Sequence, residues 1–284
     1  MTRRDLLKSA AGLAACSILP QTTARAADKW PMRLSASSIN FSRLPIEKAC
    51  EKIAELGFEA IDIWSPHAKC PHLDDVMARL GADGLKELLA KTKLKLYAFS
   101  VYAGGFPKYA DLLGKCGGGV AIRSSSGPCK PEELTSKMKA FLEALKPEAE
   151  LAEKQNSWLA IENHGHALLD SVDSFKAFVD LNKYPRVGLA LAPYHIQALK
   201  QSVEEAIIAS GKQLLFFYAW QNAPDIKQYP GIGPTDCAPW LSALAKIDYK
   251  WYVNPFMHGE PEPEPTAAAL AKSRDYLKEC YAKI

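Results

Sequence analysis

The 284-residue sequence is marked first by what it lacks. It has no apolar run of the ~20 residues that a membrane-spanning helix needs. Its 7 cysteines include no CxxC pair and follow no regular spacing, so neither a zinc ribbon nor a thioredoxin-type redox motif is present. The one glycine run, Gly117-Gly118-Gly119, is not followed by Lys-Ser/Thr, which excludes a phosphate-cradling P-loop. No Gly/Ser linker divides the chain. The one low-complexity block, Pro261–Pro265, reads as a stiff, solvated connection. A single domain is expected.

Excess charge is also missing once the N-terminus is set aside. Thr2-Arg3-Arg4-Asp5-Leu6-Leu7-Lys8 resembles a twin-arginine export signal. A weakly apolar stretch to Leu19 follows, and Ala24-Arg25-Ala26 offers a small-x-small cleavage site. A periplasmic or otherwise exported protein with a leader at residues 1–26 is expected. The alternative is lipidation at Cys16, because Leu13-Ala14-Ala15-Cys16 resembles a lipoprotein box. The leader takes Arg3, Arg4, Lys8 and Arg25 but only Asp5 from totals of 35 basic and 32 acidic residues, leaving 31 of each. A neutral chain has no basic stripe, which excludes nucleic acid as a partner. Cys50 falls on the apolar face of a helix, where a buried thiol is expected.

What is present is alternation. Strands are expected at Leu34–Phe41, Ala60–Trp64, Leu94–Tyr102, Gly119–Ser124, Trp158–Glu162, residues 187–192, Leu214–Trp220 and Tyr249–Pro255. Helices are expected at Pro45–Leu56, stopped by Gly57, and near 73–91, 131–155, 171–182, 202–210, 238–246 and 266–282. Strands alternating with helices imply parallel pairing and right-handed crossovers. Eight units, and about 258 residues after the leader, suit closure. The expected fold is α/β, a single (β/α)8 TIM barrel over residues 27–284.

The sharpest motif is Ser157–Gly165, SWLAIENHG. Four apolar residues read as a strand buried on both faces. Glu162, Asn163 and His164 then stand at its C-terminal end, where a barrel keeps its chemistry. Val187–His195, VGLALAPYH, repeats the pattern and ends on His195.

Several passages resemble the xylose isomerase-like, sugar-phosphate isomerase/epimerase barrels. They are Glu55-Leu56-Gly57-Phe58-Glu59-Ala60-Ile61-Asp62, Ile161–Gly165, Val187–His195 and Gly231-Ile232-Gly233-Pro234-Thr235-Asp236. The resemblance implies one divalent metal held by Glu, Asp, His and Glu from the fifth to eighth strands. That donor set suits Mn, Mg, Co or Zn, and the metal would polarise a sugar carbonyl. Glu162 matches the first ligand and His195 a substrate-contacting histidine. Ala192 stands in place of the aspartate, strand seven offers no histidine, and Asn254 stands near the last glutamate. The expectation is therefore no metal, or a weakly bound one at Glu162.

The candidate catalytic residues are Glu162, His195 and His164. The candidate substrate-binding residues are Trp64, Tyr102, Tyr218, Trp220, Asn254 and His258. Each has a plainer alternative. Glu162 could pair with Arg123, His164 could cap a loop, and the aromatics could be core. His258 and Glu260 could rebuild a polar site with His164 and His195 or be an exposed loop, and His67 and His72 could shape a lid or lie on a surface loop. Four strand-end aromatics among few charges suit a neutral carbohydrate. Two functions stay open. One is an exported sugar isomerase, epimerase or lyase that removes a proton next to a carbonyl. The other is a non-catalytic barrel that binds carbohydrate or a partner. An endonuclease is excluded by zero net charge and the depleted ligands. Oligomeric state is not readable.

Overall fold

The computed structural model describes residues 30–259 and 262–284. The export leader, Cys16 and Glu260 lie outside the described residues. Eight strands pair in parallel in sequence order: β1 (Arg33–Ser37), β2 (Ala60–Trp64), β3 (Lys95–Ser100), β4 (Val120–Ser124), β5 (Trp158–Glu162), β6 (Val187–Leu191), β7 (Leu214–Ala219) and β8 (Tyr252–Pro255). The last returns to the first and closes the barrel. The expected (β/α)8 barrel is the fold that forms. Around it lie α1 (Ile46–Glu55), α2 (His72–Asp75), α3 (Gly81–Thr92), α4 (Gly105–Lys115), α5 (Leu134–Ala144), α6 (Lys146–Lys154), α7 (Val172–Leu181), α8 (Pro193–Ala198), α9 (Val203–Ser210), α10 (Ala238–Lys246) and α11 (Pro263–Ala282).

Several elements differ from the sequence expectation, each for a local reason. The first strand ends at Ser37, not Phe41, because residues 38–41 wind into a 3-10 turn and Ser38 Oγ accepts the Trp64 amide. A helix, α4, was not expected between the third and fourth strands. Its Gly105, Pro107 and Gly114 are poor helix formers, and burial of Phe106, Tyr109 and Leu113 overrides them. The long helix near 131–155 is two, divided at Leu145 with Pro147 in the first turn of the second. The helix near 73–91 is interrupted by a π-helical segment, Val76–Leu80. Pro263–Pro265 are the first turn of α11 rather than a solvated connection, since a first turn needs no proline N–H. Cys50 is buried in α1, and burial pushes its thiol up to about 12. The six cysteines among the described residues are free thiols. No helix among the described residues is long and apolar enough to cross a membrane.

Two apolar layers result. Outward residues such as Ile61, Phe99, Leu159 and Phe217 meet the helices; inward ones such as Ala60, Trp64, Ala160, Phe216 and Tyr218 fill the barrel. Two bulges set which residues face in. Ile61 pairs with Leu96 but Asp62 with Ala98, so Tyr97 is an extra residue in β3. Leu189 pairs with Leu214 but Ala190 with Phe216, so Leu215 is extra in β7. Beyond each bulge the alternation reverses. That reversal turns Ser100, Tyr218 and Trp220 inward. The N-terminal end is plugged by aromatics, with Tyr97 stacked on Phe216 at 4.8 Å and tilted against Tyr252 at 4.9 Å.

Candidate active site

The C-terminal end is open. A cavity of about 450 Å³, counting its mouth, is lined there by Trp64, His67, Tyr102, Ser124, Glu162, His164, His195, Trp220 and His258. Seven of the nine residues singled out in the sequence therefore converge. None of the lining residues is a lysine or arginine.

Glu162 ends β5, beside Ser124 of β4. It is 8% exposed, and burial pushes its carboxyl up to about 7. The hydrogen bond from Tyr102 pulls the other way, and the nearby Asp62 charge adds to the rise. Arg123, the alternative partner, points away from the cavity and pairs with Glu148.

Asn163 is spent on the backbone. Its side chain donates to Ala192 O at 3.2 Å and accepts from Ala192 N at 2.7 Å, tying the loop after β5 to the end of β6. His164 lies at the exposed rim, with Nδ1 2.9 Å from Gly165 O. Its ring centroid is 4.0 Å from that of His195.

His195 is not at the end of a strand. Pro193 starts α8 immediately after β6, and His195 sits in its first turn. Burial pushes its imidazole down to about 3, with the charges of His164 and His258 adding to the effect. It is therefore neutral at ordinary pH, and its buried Nε2 has no hydrogen-bond partner among the described residues.

The aromatic wall is fixed from behind. Trp220 Nε1 donates to Gln228 Oε1 at 2.7 Å, and Gln228 Nε2 donates to His258 O at 3.0 Å. The Trp64 and Trp220 rings stand nearly perpendicular to that of His258, with centroids 5.7 and 5.2 Å away. His67 belongs to the same mouth, 5.6 Å from the Tyr102 ring. His72 does not; it is buried, with Nε2 2.8 Å from Leu44 O.

Two expected site residues lie one layer deeper. Asn254 is fully buried, donates to Ser35 Oγ at 3.0 Å and accepts from Ser37 Oγ at 3.2 Å. Tyr218 is 1% exposed and hydrogen-bonds the Tyr102 hydroxyl at 3.1 Å. Between them lies a residue not singled out from the sequence. Asp62 is fully buried and accepts from Ser37 Oγ at 2.7 Å, Trp64 Nε1 at 2.5 Å and Ser100 Oγ at 3.0 Å. Its signal was a lone carboxylate inside the apolar strand Ala-Ile-Asp-Ile-Trp. Gln228 carried no such signal.

The donors do not fit the metal that the resemblance implies. Ala192 cannot ligate, Asn254 is engaged with Ser35 and Ser37, and β7 ends on Ala219 with Trp220 following it. Among the described residues no group of three or more His, Cys, Asp and Glu is placed to hold a metal ion.

Burial pushes Asp62 up to about 7 from 3.8, against the lowering by its three hydrogen-bond donors. The native state therefore holds this proton more tightly than the unfolded chain. The stability it contributes is complete below about pH 4 and is lost as pH rises through about 7. His195 acts in the opposite sense, favouring the native state as pH rises from about 3 to 6.5. The readout is thus the difference between two proteins. Asp62→Asn is expected to gain at least about 1.4 kcal/mol over the parent near pH 8, and little near pH 4. Urea unfolding at both pH values measures it. An equal difference at both would mean that Asp62 does not titrate in this range.

The sequence matches the profile of the xylose isomerase-like TIM barrel over residues 50–280. No curated protein matches the chain. Among solved structures, it is similar to 3-keto-D-glucoside 4-epimerase from E. coli, with TM-score 0.66, 14% identity, and 86% of this chain and 100% of that one covered. It is also similar to D-psicose 3-epimerase from Clostridium cellulolyticum H10, with TM-score 0.69, 16% identity and coverage of 88% and 99%. A third is the IOLI protein, solved with a zinc atom, with TM-score 0.69, 18% identity and coverage of 89% and 99%. At these identities the structural likeness speaks for the fold. The profile match spans most of the chain, and the chain belongs to the xylose isomerase-like TIM barrel family.

Proposed function

We propose that the chain is an epimerase- or isomerase-like enzyme for a neutral sugar bearing a carbonyl. Glu162 removes the proton on the carbon next to that carbonyl, and His195 hydrogen-bonds the oxygen. The observation that carries the reading is the buried Glu162 carboxyl at the cavity wall, its pKa pushed up to about 7. A base works best when its pKa lies near the working pH. His195 is neutral, and a neutral imidazole can polarise a carbonyl. His195 lines the cavity, and its Nε2 has no partner among the described residues. The absence of lysine and arginine from the described lining, and the presence of Trp64, Tyr102 and Trp220, favour an uncharged sugar ring over a phosphate ester. Sugar epimerases among the similar structures support the substrate class. The leader-like residues 1–26 support an exported location.

Ala192, standing where the family keeps an acidic ligand, favours a second reading, a barrel that binds carbohydrate without chemistry. Incubation with keto-sugars in deuterated water separates the two. Deuterium is expected at the carbon next to the carbonyl of at least one sugar. Binding of several sugars with no exchange in any of them would establish the second reading.

A further inference from the structure

Five polar groups form a line across the barrel interior. Asp62 of β2 accepts from Ser100 Oγ of β3 at 3.0 Å. Ser100 Oγ lies 3.4 Å from the Tyr218 hydroxyl of β7, which lies 3.1 Å from the Tyr102 hydroxyl. Tyr102 in turn faces Glu162 across the same cavity wall and interacts with its carboxyl. The two bulges make the line possible, because they turn Ser100 and Tyr218 inward.

Counting hydrogens gives the line a direction. A serine or tyrosine hydroxyl has one proton to donate, and an ionised carboxylate has none. When Asp62 is ionised, Ser100 donates to it, Tyr218 donates to Ser100, and Tyr102 donates to Tyr218. Tyr102 then has no proton left for Glu162, so Glu162 must be protonated to keep their bond. When Glu162 is ionised, every arrow reverses and Asp62 must carry the proton. One proton at one end satisfies all four links.

We propose that Asp62 is a positioning residue and proton store for Glu162, the two carboxyls sharing one proton through Ser100, Tyr218 and Tyr102. The transfer balances without a co-reactant. The Glu162 O–H bond breaks as the Tyr102 oxygen takes its proton. Tyr102 passes its own proton to Tyr218, Tyr218 to Ser100, and Ser100 to Asp62. The Ser100–Tyr218 link, at 3.4 Å, must shorten by a few tenths of an ångström for that hop, and Tyr102 must close on the Glu162 carboxyl. Resting on the proposed reaction, this transfer leaves Glu162 ionised and able to take the substrate proton while Asp62 keeps the shared one.

The surroundings leave few other groups to account for the behaviour of Asp62. Ser37 of β1, Trp64 of β2 and Ser100 of β3 donate to it. Tyr97 and Tyr218 feel its charge, as does Glu162. Burial raises both carboxyls into the same range, which a shared proton requires.

Infrared titration of the carboxylic-acid C=O stretch tests this on the purified chain without any substrate, so a failed sugar assay leaves the test intact. The parent is expected to release two buried protons in two steps more than about one pH unit apart. Asp62→Asn and Glu162→Gln are each expected to show one step, and their summed curves should fail to reproduce the parent. Tyr218→Phe keeps the core volume but removes the middle hydroxyl, and should narrow the separation. A parent curve equal to the sum of the single variants overturns the proposal. So does a Tyr218→Phe curve identical to the parent, which would leave only repulsion through space. If Asp62→Asn does not fold, the comparison of Tyr218→Phe with the parent decides alone.

Discussion

Glu162→Gln is expected to slow hydrogen exchange at the sugar carbon by about 10²–10⁴-fold, the usual worth of a general base. Glutamine keeps the size of the side chain and a polar contact to Tyr102, but it cannot take a proton. Affinity for an unreactive sugar should change little, because Trp64, Tyr102 and Trp220 supply the ring contacts. The pH profile follows from the same carboxyl. A base must be ionised to act, so the parent rate should climb as pH passes through about 7. Loss of folding is not the cause anticipated, since replacing a buried carboxyl by an amide removes a charge that costs stability above that pH. Deuterium incorporation, read by mass spectrometry beside a urea unfolding curve, separates rate from stability. A glutamine variant within about tenfold of the parent would place the base elsewhere among the lining side chains.

Phe178→Ala is expected to cost about 3–5 kcal/mol of stability, as large-to-small changes at buried aromatics do. Phe178 is fully buried on α7 in the layer between barrel and helices, with Phe175 and Val172 on the same face. Its removal leaves a hole that the surrounding side chains fill only in part. Urea unfolding should show the midpoint falling with an unchanged slope. The exchange rate per folded molecule should stay within about twofold of the parent, because Phe178 touches neither cavity nor line. A loss under about 1 kcal/mol would mean that the helix layer relaxes around the gap.

The fold was legible because burial on both faces makes parallel strands into short apolar runs, and the runs came at barrel spacing. The cavity residues were legible at strand ends for the same reason: Glu162, Trp64 and Trp220 each follow an apolar run. Three things were hidden. The bulges at Tyr97 and Leu215 leave no mark in composition, yet each reverses the alternation after it. Strict alternation from Leu96 puts Ser100 outside, and from Leu214 it puts Tyr218 outside. Depth along a strand was the second. Asn254 reads as a strand-end residue, but β8 continues through Pro255 and the chain to Phe256 before the rim is reached. The third was the start of α8, where Pro193 converts an apparent strand into a helix and changes how His195 is presented. Asp62 was visible as a letter in an apolar strand, but its importance lies in partners from β1 and β3 that only the closed barrel brings near.

The separation of the two apolar layers has a consequence for how this protein can change over generations or in a laboratory. Side chains that hold the helices to the strands point one way, and side chains that shape the cavity point the other, with the strand backbone between them. Mutations can therefore accumulate in the outer layer to raise tolerance for later losses, without altering what the mouth recognises. A library confined to His67, Ser124 and His164, lining residues off the proton line, built on a variant strengthened in the outer layer, would search substrate preference. Ser100 and Tyr218 fall outside that freedom, since each serves the core and the proton line at once.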